Sequence, residues 1–378
     1  MRLREPYRLF FPLGILFGLA GVAIWPLYSF GLTATYSGRA HALVQTYGFL
    51  YAFIAGFLLT AVPRFTGTQL PSRLTQYALA LVLSVSVVAA ELRAFEIGTL
   101  AFVAAHVMLI AMVASRFARR TQDPPPTFVQ IGLALLAGAA GAALTALVAW
   151  ELVPASWDLL GKRLLTEGMV MLLVLGVGGF LGPRLLGFAA LPQHGTPVAG
   201  DPRLPAIAGI VILTSLVVEY GFDIRWAAYV RAAAISPLMI GSLQLWRRPA
   251  VRTTLSWTVW IAHWIMAIAV WVVAGFPKYR ADFLHLLFIG GFSLVILAIG
   301  TRVTLSHGGH PLSAEKRSWP LRIGLTLVLV AALARLGAPF AQNTYFDHLM
   351  WAALLWMAGM ASWGAYIIMM IERRSPTV

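Results

Sequence analysis

The strongest nitrogen ligands in this 378-residue chain are its eight histidines, and it has no cysteine to compete with them. The lack of cysteine excludes disulfides, zinc–thiolate sites, iron–sulfur clusters and covalent haem attachment through CxxCH. Any metal or haem must be held by His, Met, Tyr, carboxylates or backbone. Neutral imidazole is a strong ligand for haem iron and for copper. His41, His285 and His348 each fall just inside one end of an apolar segment. His106, in "FVAAHVMLIAM", and His263, in "WIAHWIMAIAVW", fall near the middle of such segments. His194, His307 and His310 lie in polar stretches. Three histidines at one depth would suit a haem or metal site near the outer face of a membrane. A histidine at mid-membrane needs a hydrogen-bond partner or a metal. Each also has an ordinary alternative as an interfacial, capping or hydrogen-bonded side chain.

Glu167 and Arg231 are the other candidates among the ionisable groups in apolar sequence. They suit a proton or propionate contact, or they snorkel to the interface. Tyr47 follows His41 slightly off its helical face, where an ordinary packing aromatic is also expected. The methionines of "LMWAALLWMAGM" are more often packing than copper ligands, and the 13 tryptophans suit interface anchors. No Walker loop, dinucleotide GxGxxG, HExxH or GxSxG is present. A hydrolase or nucleotide-driven pump is therefore disfavoured.

The elements that must carry these residues are membrane helices. The chain is 60% hydrophobic and 11% charged, and its mean hydropathy is +0.80. Soluble domains are about half apolar and about a quarter charged. A spanning helix needs about 20 mostly apolar residues. Twelve segments qualify: 9–30, 40–63, 74–92, 96–115, 128–150, 165–187, 205–221, 226–246, 254–275, 282–305, 321–340 and 346–371. The expected fold is all-α, one integral membrane domain over 1–378. "MRLREPYR" leads straight into the first segment and reads as its cytoplasmic lead. "TQDPPPT" and "LPQHGTPVAGDPRLP" read as linkers.

The net charge of +14 suggests nucleic acid until the charges are located. They lie between apolar segments and form no single patch. With the N-terminus inside, about 19 of the 28 Lys and Arg fall on the inner side, as the positive-inside rule requires. Both termini are therefore expected in the cytoplasm. The partners expected are the lipid bilayer and no nucleic acid.

A faint repeat runs through the chain. "IAGFLLTAVPR", "GVGGFLGPR" and "FIGGFSLVILAIGTR" each join a small-Gly-Phe core to an arginine, in the second, sixth and tenth segments. Three groups of four helices, about 1–120, 127–246 and 254–371, would carry them in one orientation. The alternative is that glycine recurs wherever membrane helices pack closely.

"EPYRLFFPLGILFGLAGVAIW", "HALVQTYGFLYAFIAGFLLTAVPRFTG", "WRRPAVRTTLSWTVWIAHW" and "HLLFIGGFSLVILAIGTRVTLSHGG" together resemble the NnrS family. The resemblance runs through nearly the whole chain. It implies a bacterial inner-membrane protein of about twelve spans, holding haem and copper and linked to the nitric oxide response. His41 matches the first histidine of the family's HxHE stretch, His263 the histidine of the ninth span, and His285 and His307 those that bracket the tenth. Two departures put the copper in doubt. Leu43 and Val44 stand where the family has a second histidine and a glutamate, and Phe180 stands where it has an arginine. A looser similarity is to haem-copper oxidase core subunits, which hold a low-spin haem between histidines of the second and tenth helices.

By that similarity His41 and His285 are candidate axial ligands of a b-type haem. His263, His106 and His348 remain further candidate haem or metal ligands, with copper as a second cofactor. The partners implied are a small molecule such as nitric oxide and a respiratory or electron-transfer protein. Were the chain an enzyme, it would be a haem-dependent oxidoreductase. Two other readings stand beside this one. The first is a cofactor-free secondary transporter with a central pathway at the second, sixth and tenth spans. The second is a membrane scaffold for a partner complex.

Overall fold

A computed structural model describes residues 5–190, 200–316 and 318–373, and among them no strand occurs. Twelve long helices carry the fold: α1 Tyr7–Ser29, α2 Gly38–Phe65, α3 Arg73–Glu91, α4 Phe95–Ala118, α5 Pro126–Ala149, α6 Trp157–Leu185, α7 Arg203–Phe222, α8 Ala227–Leu243, α9 Thr254–Gly275, α10 Pro277–Gly308, α11 Trp319–Gly337 and α12 Tyr345–Glu372. All but α8 belong to helical segments long and apolar enough to cross a bilayer. At 17 residues, α8 is at the short end of that range. The protein is a polytopic membrane protein.

The order of the spans follows the hydropathy pattern, but α6 and α10 begin eight and five residues earlier than it suggests, at Trp157 and Pro277. Their first two turns carry Asp158, Lys162, Arg163, Arg280 and Asp282, which lower the local hydropathy without breaking the helix. Glu167 is therefore ten residues inside α6, not at its start. His194 lies outside the described residues.

The packing has an inner and an outer layer. Consecutive helices pack in three groups: α1 to α4, α5 to α8 and α9 to α12. The groups meet where α4 lies on α5, α8 on α9, and α12 on α1, which closes a ring. The three helices α2, α6 and α10 reach the centre. Each of these three, and no other helix among the described residues, contains a wide π-helical stretch: Val44–Leu50 in α2, Leu164–Val170 in α6 and Leu286–Ser293 in α10. A π stretch inserts residues without ending the helix and often marks a functional site. Gly48, Gly168 and Gly290 each occupy the fifth position of their stretch.

Small residues set how close α2 sits to α1. A methyl group built on Gly18 would meet the Phe49 ring at 2.7 Å, and one on Gly21 would meet Val44 at 2.6 Å. Only glycine lets these two helices approach so closely. That approach puts the carbonyls of α1 within reach of polar side chains on α2. Gln45 donates to Gly18 O at 2.9 Å and His41 to Gly21 O at 2.7 Å. Ser37 caps the start of α2, accepting from Ala40 N at 3.1 Å, and so fixes the turn that carries His41.

Candidate functional site

The three π stretches wall a cavity of about 390 Å³. His41 comes from α2 and His285 from α10, and both line it. Their imidazoles are held alike. Nδ1 of His41 lies 2.7 Å from Gly21 O, and Nδ1 of His285 lies 2.7 Å from Ala281 O. A carbonyl oxygen can only accept, so in each ring Nδ1 carries the hydrogen and Nε2 keeps its lone pair. Outer hydrogen bonds of this kind orient ligating histidines and raise their basicity. Trp25 stands edge-on to His41 at 5.5 Å, and Phe288 edge-on to His285 at 5.9 Å. These rings restrict how each imidazole can turn.

One side of the cavity is cationic. Lys162, Arg163 and Arg335 line it. Lys162 pairs with Asp158 at 2.6 Å, and Arg335 pairs with Asp282 at 2.7 Å. Tyr345 donates to the same Asp282 oxygen at 3.2 Å. Arg163 is held more loosely, 3.5 Å from Glu167. The rest of the wall is largely apolar and aromatic, including Phe49, Phe288, Phe346 and Trp356. Apolar faces, two nitrogen donors on the wall and a cationic edge are the chemistry that a haem with two carboxylates requires.

Behind Arg163 lies a buried ion network. Arg231 on α8 reaches Glu167 at 3.2 Å and Glu219 on α7 at 2.7 Å. Arg280 on α10 also pairs with Glu219, and it donates to the Tyr220 hydroxyl at 3.1 Å. Glu167, Glu219 and Arg231 are each no more than 5% exposed. Snorkelling is thereby overturned for Arg231, whose guanidinium is enclosed between two carboxylates.

A second, smaller cavity of about 110 Å³ continues along the same three helices. Leu50 lines both cavities. Its wall includes Phe53, Phe57, Phe292 and Gly178, and its one polar group is His263. Nδ1 of His263 donates to Val259 O at 2.7 Å, and Nε2 is buried without a partner.

The remaining histidines separate from these cavities. His106 has both ring nitrogens bonded, Nδ1 to the Tyr51 hydroxyl at 3.0 Å and Nε2 to Leu135 O at 2.9 Å. That is the geometry of a structural side chain. Replacing His106 by alanine is expected to cost about 3 kcal/mol, since it strands a hydroxyl and a carbonyl in the bundle. The cost should appear as a lower unfolding temperature with any bound chromophore unchanged. His348 bonds Ala334 O at 2.9 Å and is absent from the cavity wall, although its neighbours Phe346 and Leu349 line it. His307 and His310 belong to the opposite end of α10, where His307 meets Arg64 and His310 bonds Met370 O. At that end burial pushes the Glu5 carboxyl up from its ordinary range, against the pull of Arg64 and Arg8. Tyr47 is a packing residue, stacked on Phe102 at 3.8 Å and bonded to Thr145.

The family's departures have structural consequences. Leu43 and Val44 are fully packed, and Phe180 joins Phe65 and Phe128 in an aromatic cluster. Sequence reasoning overlooked Lys162, Arg163, Arg335, Glu219 and Arg280. Their one signal was a charge inside or beside an apolar segment; the charge count had assigned the four cations to loops and did not consider Glu219.

The family model described as NnrS protein matches residues 2–374. The chain belongs to the NnrS family. A search of curated proteins returns no match. Membership supports a role for this membrane protein in the nitric oxide response.

Proposed function

We propose that this NnrS protein holds a b-type haem between His41 and His285, and that it serves the nitric oxide response through that group. The observation that carries the reading is the pair of imidazoles on one cavity, each with Nδ1 given to a backbone carbonyl and Nε2 left for iron. Haem bound there would supply one-electron redox chemistry. The chain's own part is to orient the two ligands, to surround the ring with apolar side chains and to present cations to its acidic edge. A dry, apolar setting strengthens every charge interaction at that edge.

Copper fits less well. Among the described residues no three His, Asp or Glu side chains converge on one point. A protein-held copper ion commonly needs about that many donors, and no step is derived through it. The closed ring of three four-helix groups and the three matching π stretches support a threefold internal repeat. In that repeat Gly48, Gly168 and Gly290, each fifth in its π stretch, would be equivalent. Placement in a bacterial inner membrane, as the family resemblance implies, completes the proposal; both termini inside rest on the bias of Lys and Arg between loops.

A colour test decides the main reading. The protein purified in mild detergent should be red, with a Soret band that moves on reduction and a b-type pyridine haemochrome. A colourless, folded preparation without iron would sink it. One observation favours a second reading, a transporter: the two cavities stack along α2, α6 and α10. It would be preferred if the colourless protein moved a solute across vesicles.

A further inference from the structure

The buried network beside the cavity does not balance. Glu167 and Glu219 are its carboxylates, and Arg163, Arg231 and Arg280 are its guanidiniums. Two negative charges therefore face three positive ones. The neighbouring pairs are no source of relief, because Lys162 already faces Asp158 and Arg335 already faces Asp282. An unmatched charge enclosed in a membrane bundle is costly unless something neutralises it.

Geometry shows where the neutralising group must come from. Arg231 sits at the centre, 4% exposed, between both carboxylates. Arg280 is committed to Glu219 and Tyr220. Each of the three guanidiniums keeps a buried nitrogen without a hydrogen bond, but Arg163 has the loosest partner, Glu167 at 3.5 Å, and of the three it alone lines the cavity. The deficit thus opens at one place, onto the space flanked by His41 and His285.

We infer that Arg163 is the seat of one carboxylate of the cavity's ligand, and that this carboxylate completes the Glu167–Arg231–Glu219–Arg280 network. The inference rests on the proposed haem and adds which charged group of it is recognised, and by what. Arg163 contacts the ligand; Glu167 is a positioning residue that aims the guanidinium from the next turn of α6. A planar guanidinium meets a carboxylate with two parallel hydrogen bonds, so lysine is an imperfect replacement.

Haem and its dimethyl ester, in which both carboxylates are capped, test this directly. The full-length protein is produced in haem-deficient cells, and each pigment is titrated into it in detergent. Wild type should bind the ester about tenfold to a hundredfold more weakly than haem. Arg163→Gln should shrink that preference by about tenfold, and Arg163→Lys should keep part of it. The two-imidazole spectrum reports that each variant is folded around its pigment. An unchanged preference in Arg163→Gln would overturn the inference while leaving the haem reading intact. Failure of wild type to bind either pigment would instead overturn the haem reading. If neither variant binds pigment while wild type does, Glu167→Gln should itself weaken the preference; an unaltered preference there rejects the seat.

Discussion

Replacing His285 by alanine should abolish the six-coordinate, low-spin spectrum of the haem-loaded protein and weaken haem retention more than ~100-fold. The scale comes from metal sites in which outer partners of a ligand alone are worth about 10–100-fold; losing the ligand itself costs more. His285 opens the π stretch of α10, and its ring is fixed by Ala281 O and Phe288. No other nitrogen on α10 lines the cavity to take its place. The same change at His41 should give the same spectrum loss, because its ring is held from α1 through Gly21 O. Added imidazole should restore the low-spin bands in both, since each substitution leaves a hole of the missing ring's shape. His106→Ala should leave the bands untouched, because that ring is spent on Tyr51 and Leu135. Unchanged optical spectra in both His41→Ala and His285→Ala would end the ligand assignment.

Much of this site was legible in the sequence. Apolar periodicity located the spans, because a helix long enough to cross a bilayer has few ways to be disguised. The residue types left only imidazole as a strong nitrogen ligand, and the second and tenth spans carried imidazoles at similar depth. What the sequence concealed was pairing. His348 had the same depth as His41 and His285, yet it turns to Ala334 O on the neighbouring helix. Depth in one dimension does not fix rotation about the helix axis. Lys162, Arg163 and Arg335 were hidden for a related reason. Near a span end, a cation on the lipid-facing side and one on the cavity wall read identically until the neighbouring helices are in place. The π stretches were illegible as well, since "VQTYGFL", "LLTEGMV" and "LLFIGGFS" share little beyond one glycine.

The same lack of one-dimensional information surrounds the ion network, and there the expected effect on stability is the largest. Glu219→Gln should destabilise the protein by about 3–5 kcal/mol, the usual cost of removing one partner from a buried charge cluster. Glu219 is the hub: it faces Arg231 at 2.7 Å and also Arg280. Without it, Arg163 and Arg231 share Glu167 and Arg280 has no carboxylate. Arg231→Met should cost less, although Arg231 is equally buried. Its removal leaves Glu167 with Arg163 and Glu219 with Arg280, two pairs of opposite charge. The order of the two variants therefore tests charge balance and not merely burial. Combining Glu219→Gln with Arg231→Met should recover part of the loss, because one excess cation leaves with the missing anion. Thermal unfolding of the detergent-solubilised variants reads the order directly. If Glu219→Gln unfolds no earlier than Arg231→Met, the network is held by packing and hydrogen bonds, and its charge count has no bearing on the neighbouring cavity.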